Sequence, residues 1–115
     1  MKIINISKET ILADKAQMAD TFFKRLIGLL NRKSLTKGEG LILSRANCIH
    51  SFFMRFNIDE LFLDQCGKVI AALPSFRPFR VSRLYFNASL TLELPETTLQ
   101  LTNTQPGDTI QITSE

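Results

Sequence analysis

Histidine occurs once in this 115-residue sequence, cysteine twice and tryptophan not at all. With one histidine and no CxxC spacing, zinc ribbons and thioredoxin-type redox sites are excluded. No run approaches the ~18 apolar residues of a spanning helix, and the opening "MKIINISKE" has neither the apolar stretch nor the small-residue cleavage site of a secretory leader. These absences predict a soluble, cytoplasmic protein without membrane contact. They also predict that Cys48 and Cys66 are free thiols rather than a disulfide. An excess of one charge is lacking too: a net charge of +3 and a pI near 9.1 are only mildly basic, less than a nucleic-acid protein usually carries.

Apolar material is ample. Hydrophobic residues make up 44% of the chain, and nine of its ten aromatics are phenylalanine. That suffices for one core, so residues 1–115 are expected to form a single domain. Short runs between frequent turn signals predict about eight strands: "KIINI", "TILADKAQMA", "GLILS", "IHSFFM", "DELFLD", "KVIAAL", "YFNASLTLEL" and "TIQIT". "DQCGK" reads as a hairpin loop in which Gly67 supplies the positive φ, and "QPGD" as a second turn.

One segment breaks the strand pattern. In residues 20–32, "DTFFKRLIGLLNR", the apolar positions fall on one face at about 100° per residue. An amphipathic helix packed on the sheet is expected, with Asp20 at its N-terminus. Gly28 lies on its polar face, where glycine costs roughly 1 kcal/mol relative to alanine, and Arg25 and Arg32 flank it nearly in line. Two readings stand: another segment packs over Gly28, or the arginines form a site for a carboxylate or other anion, which a planar guanidinium grips bidentately.

A second basic stretch, "PSFRPFRVSR", places Arg77, Arg80 and Arg83 every third residue, with Phe76 and Phe79 between them. Arginine interleaved with aromatics can stack single-stranded nucleic acid. No nucleic-acid motif accompanies it, so a solvated basic loop with its phenylalanines turned inward is the preferred reading.

"NCIHSFFMRFNID", residues 47–59, holds the single histidine. As a strand it puts Cys48, His50, Phe52 and Met54 on one face, with neighbours on that face about 7 Å apart. A core strand is the first reading. His50 lining a ligand or catalytic pocket is the second, and a metal held by Cys48, His50 and Met54 the third, a poor cage because its ligands are strung along one strand. Asp59 and Asp64 bracket the following run, and either could fix the His50 tautomer for acid–base work.

The ordered blocks "RLIGLLNRKSLTKGEGLIL", "IHSFFMRFNIDELFLDQCGKV", "LELP" and "GD" resemble the small prokaryotic family known as domain of unknown function 192, from about Ala19 to Ile112. Arg25, Gly28, Leu29, Arg32, Gly38 and Gly40 match its first block. His50, Phe52, Met54, Ile58, Asp59, Phe62, Asp64 and Gly67 match the second, and Glu93, Gly107 and Asp108 the last. The resemblance implies a mainly β sandwich or barrel-like domain carrying one helix, and it brings no activity. Asn57 stands where the family has proline, and Glu60 where it has an apolar residue.

The combined expectation is a binding module in which Arg25, Gly28, Arg32, His50 and Met54 take a small anionic ligand or a partner's carboxylate. An enzyme, possibly a hydrolase, with His50 and a nearby aspartate is the first alternative, and a structural or assembly protein the second. Residues and resemblance name no cofactor.

Overall fold

The computed structural model describes residues 1–18, 35–44, 56–77 and 85–114. The expected helix over residues 20–32 and the expected "IHSFFM" strand lie outside them. Within them are eight strands: β1 (Lys2–Asn5), β2 (Thr10–Ala13), β3 (Lys15–Met18), β4 (Glu39–Ser44), β5 (Ile58–Leu63), β6 (Val69–Phe76), β7 (Leu90–Pro95) and β8 (Ile110–Thr113). One short helix, α1 (Thr98–Thr102), follows β7. The strands form two sheets, one of three in the order β2-β1-β8 and one of five in the order β3-β4-β7-β5-β6. Neighbouring strands are antiparallel except β3 and β4, which are parallel. The mainly β architecture read from the sequence is present.

Alternation explains how the sheets meet. In β7, Leu92 and Leu94 face the three-stranded sheet, together with Ile42, Leu61 and Leu63 from neighbouring strands, and they bury against Ile3, Leu12, Ala13, Ile110 and Leu99 of α1. Fully burying a leucine-sized side chain contributes roughly 1.5–3 kcal/mol, so this shared layer binds the sheets together. Gly40 permits the close approach: a Cβ there would stand 3.2 Å from Leu94 Cδ2 and 3.3 Å from Ala13 Cβ.

The predicted turns are in place. In "DQCGK", Gly67 has φ +84°, and Asp64 Oδ1 accepts the Cys66 and Lys68 N–H groups at 2.8 and 2.9 Å. In "QPGD", Gly107 has φ +95° and Asp108 N–H donates to the Gln105 carbonyl at 3.1 Å.

Three strand expectations need correction. "TILADKAQMA" is two strands, because the Gly38 carbonyl accepts the N–H groups of both Asp14 (3.1 Å) and Lys15 (2.8 Å), bending the chain from one sheet into the other. "YFNASLTLEL" is strand only from Leu90: Ala88 N–H closes a turn on the Tyr85 carbonyl at 3.0 Å. The strand begun at "KVIAAL" continues to Phe76, taking in Pro74, which is tolerated in β6 because it is an edge strand among the described residues. Phe76 is partly buried, packed against the buried pair Leu35 and Ile58, as expected for a phenylalanine turned inward.

Candidate functional site

Of the residues singled out in the sequence, Arg25, Gly28, Arg32, Cys48, His50 and Met54 lie outside the described residues, as do Phe79, Arg80 and Arg83. Asp59, Asp64, Cys66 and Arg77 lie within them. Cys66 is a free, exposed thiol at the β5–β6 turn. Among the described residues no group of three or more histidine, cysteine, aspartate or glutamate side chains could hold a metal, and no helix is long and apolar enough to cross a membrane.

Both aspartates bind backbone. Asp64 fastens the hairpin just described. Asp59 is fully buried; its Oδ1 accepts the Ser75 N–H at 2.9 Å and its Oδ2 the Leu99 N–H at 2.8 Å. The first bond holds a non-glycine residue at φ +53°, where β5 and β6 slip register. The second satisfies a first-turn donor of α1, whose N-cap Thr97 makes no side-chain capping bond. A carboxylate from a neighbouring strand thus does what a local cap usually does.

A polar pair of a different kind occupies the other face of the five-stranded sheet. All six residues of β5 are buried, so this strand has no solvent side. Glu60 pairs in register with Glu93 of β7. Glu93 in turn pairs with Leu41 of β4 and Glu60 with Leu73 of β6, placing the two carboxylates mid-sheet in the row Leu41–Glu93–Glu60–Leu73. The adjoining row is Leu43–Thr91–Phe62–Ala71. Tyr85 lies over this row, its ring 4.5 Å from that of Phe62 between centroids. Both glutamates are wholly inaccessible to solvent.

Directly opposed residues in an antiparallel pair have Cβ atoms about 4.5–5.5 Å apart. Two carboxylate charges about 5 Å apart repel by roughly 3 kcal/mol at an effective dielectric of about 20, and burying each charge costs several kcal/mol more. Such a pair needs compensation, from a proton on one carboxyl or from a cation against the face. In the sequence the only sign of this juxtaposition is a glutamate within each of two leucine-rich strands, Glu60 in "IDELFL" and Glu93 in "LTLELP".

A third polar cluster joins the chain's beginning to its end. Asn5, buried in β1, donates through Nδ2 to Thr104 Oγ1 and to Asp108 Oδ2, both at 3.0 Å. Lys8 Nζ donates to Asp108 Oδ2 at 2.8 Å and to the Asn103 carbonyl at 2.9 Å. Burial pushes the Asp108 carboxyl up, but hydrogen bonds from Lys8, Asn5 and the Gln105 N–H, with the Lys8 charge, outweigh it and hold the group below the ordinary aspartate range. Asn57 Nδ2 similarly bonds Glu96 at 3.1 Å, tying the approach to β5 to the end of β7. Bonds from Ser75 and Asn57 hold the Glu96 carboxyl low.

Comparison with known proteins places the chain in a wider group. Residues 3–112 match the model of DUF192, described as "Uncharacterized ACR, COG1430". A UPF0127 protein of Thermococcus sibiricus is 34% identical over 112 residues, covering 94% of this chain and 72% of its own length. A UPF0127 protein of Pyrococcus abyssi is 32% identical over 115 residues, covering 95% of both chains. Among solved structures, a protein of unknown function from Novosphingobium aromaticivorans superposes with a TM-score of 0.80 at 18% identity, over 96% of this chain and 82% of that one. At that identity the likeness shows the fold alone.

Proposed function

The chain belongs to the DUF192 family, and we propose that it is a single-domain, cytoplasmic binding module for a small anionic ligand or the carboxylate of a partner. The observation that supports this reading is the Glu60–Glu93 pair, fully buried at the centre of a sheet face. Two carboxylates so placed are suited to fixing cationic side chains, and a guanidinium held by a carboxylate is pre-oriented to grip an anion with its remaining donors. Arg25 and Arg32, on either side of Gly28, are the cations we assign to this task. His50 and Met54, from the second family block, complete the assigned site. The enzyme reading has less behind it, since Asp59 and Asp64 already accept backbone N–H groups.

A thermal-shift screen with phosphate, sulfate, citrate and short dicarboxylates tests the reading. An anion at 100 times its Kd adds about 2.7 kcal/mol to stability, which raises Tm by about 11 °C given ~2.1 cal/mol/K of unfolding entropy per residue. Arg25→Ala, Arg32→Ala and His50→Ala should fold and lose that shift. Variants that keep it, or a panel of anions that never produces it, would count against the proposal.

A further inference from the structure

A cleft of about 610 Å³ opens where β2 turns into β3, with Ile11, Lys15, Lys37, Gly38, Thr98 and Leu101 among its lining residues. None of these belongs to the glutamate face. β2 is the outer strand of its sheet, so one long side of its backbone has no strand beside it among the described residues, and α1 packs against the same strand. A groove between an edge strand and a helix is the architecture that accepts an extended peptide by strand addition, where main-chain bonds supply affinity and flanking pockets supply choice. Its walls are apolar and open: Ile11 is 56% and Leu101 76% exposed. Among the described residues its rim carries two exposed lysines, Lys15 and Lys37, against one carboxylate, Asp14.

We propose that this cleft docks an extended acidic segment of a partner protein, added as a strand along β2. An apolar side chain of that segment sits between Ile11 and Leu101, and a carboxylate meets Lys15 and Lys37. The four residues of β2 span about 13 Å at ~3.3 Å each, which sets the docked stretch at four to six residues. The cleft volume falls in the range of about 300–1,000 Å³ usual for ligand sites. A fatty-acid-like amphiphile would match the charge but leave the strand edge without main-chain partners. A second copy of this chain brings a net charge of +3 towards a rim that is itself positive.

A random-hexapeptide display selection on the intact protein tests the proposal without guessing the partner. Enriched peptides should alternate apolar and acidic residues. A fluorescent form of the most enriched one should bind about tenfold or more weakly to the double variant Lys15→Glu, Lys37→Glu, whose melting temperature stays unchanged because both lysines are exposed. On the unaltered protein, amide shifts on binding should cluster at residues 11–15, 37–38 and 98–102. The proposal is overturned by selection that enriches nothing, by equal binding to the double variant, or by shifts centred elsewhere. It also falls if octanoate displaces the peptide at comparable concentration, which makes the cleft an amphiphile pocket, or if the protein dimerises through a contact abolished by Leu101→Asp.

Discussion

Replacing Asp59 with alanine should destabilise the protein more than its single carboxylate suggests. The residue is fully buried and accepts one N–H from Ser75 and one from Leu99, at 2.9 and 2.8 Å. A hydrogen bond to a charged acceptor contributes about 1.5–3 kcal/mol, and a buried donor left without one costs about as much. The Leu99 bond also replaces the missing side-chain cap of α1, and removing a cap alone costs about 0.5–2 kcal/mol. The cap and the Leu99 bond are one contact and count once, and the Ser75 bond is only partly buried, so Asp59→Ala should cost about 3–5 kcal/mol. A chain of this length is expected to be stable by about 6–17 kcal/mol in total, at ~0.05–0.15 per residue. With about 0.24 kcal/mol/K of unfolding entropy, the same loss lowers Tm by about 12–20 °C. The isosteric Asp59→Asn should not rescue it: the amide keeps one acceptor oxygen and turns an NH₂ group on the other N–H, costing about 2–4 kcal/mol. Urea unfolding of the three proteins measures this directly, with m held as a check on two-state behaviour. A loss below about 1 kcal/mol for Asp59→Ala, or an Asp59→Asn variant as stable as the parent, would refute the account of Asp59 as a shared backbone anchor.

Two glycine substitutions separate backbone strain from collision. Gly107→Ala, at φ +95° with nothing within 4 Å of the new Cβ, should cost about 1–2 kcal/mol by thermal melting. Gly67→Ala, at a similar φ but with the Ile110 carbonyl oxygen 2.5 Å from the new Cβ, should cost at least about 1 kcal/mol more, and equal losses would remove the steric argument. Because the folded-state pKa of Asp108 is depressed, its contribution is full above the unfolded aspartate value near 3.9 and is lost as pH falls through the folded value. Tm measured from pH 6 to pH 2 should therefore fall less steeply in Asp108→Asn than in the parent, starting from a lower plateau. Lys8→Met should lower the same plateau and shift the acid limb to higher pH; an unchanged limb would mean that Lys8 does not set the Asp108 titration.

Local chemistry wrote the turns into the sequence. Asp64 and Gly67 hold within four residues everything the hairpin needs, and Gln105 to Asp108 do the same for the second turn. Elements fixed by distant partners left no such mark. The break at Asp14 depends on the carbonyl of Gly38, and "TILADKAQMA" holds neither glycine nor proline to mark it. Helix α1 is five residues long, too short for periodicity to declare, and its first-turn donor is satisfied by a carboxylate 40 residues away. Asp59 was legible as a residue of interest but suggested a partner for His50; the bonds it makes are to backbone that only the fold brings near. The candidate ligand residues in the first two blocks lie outside the described residues, and their expected roles stand as proposed.

The acidic pair shows why one class of site escapes a period-two reading. Alternation identifies a strand's polar side by assuming that one face meets water. In β7 that rule would assign Thr91 and Glu93 to solvent, yet both are inaccessible. In β5 it would give Glu60 the same assignment, although the strand is buried along its whole length. A carboxylate on a solvent face is ordinary and carries little meaning. On a strand buried on both faces the same residue is a charge or a proton held out of water at a cost, and the register that sets Glu60 against Glu93 raises that cost. A proton on one carboxyl or a cation against this face offsets that cost, and the arginines proposed for the site are assigned the second role.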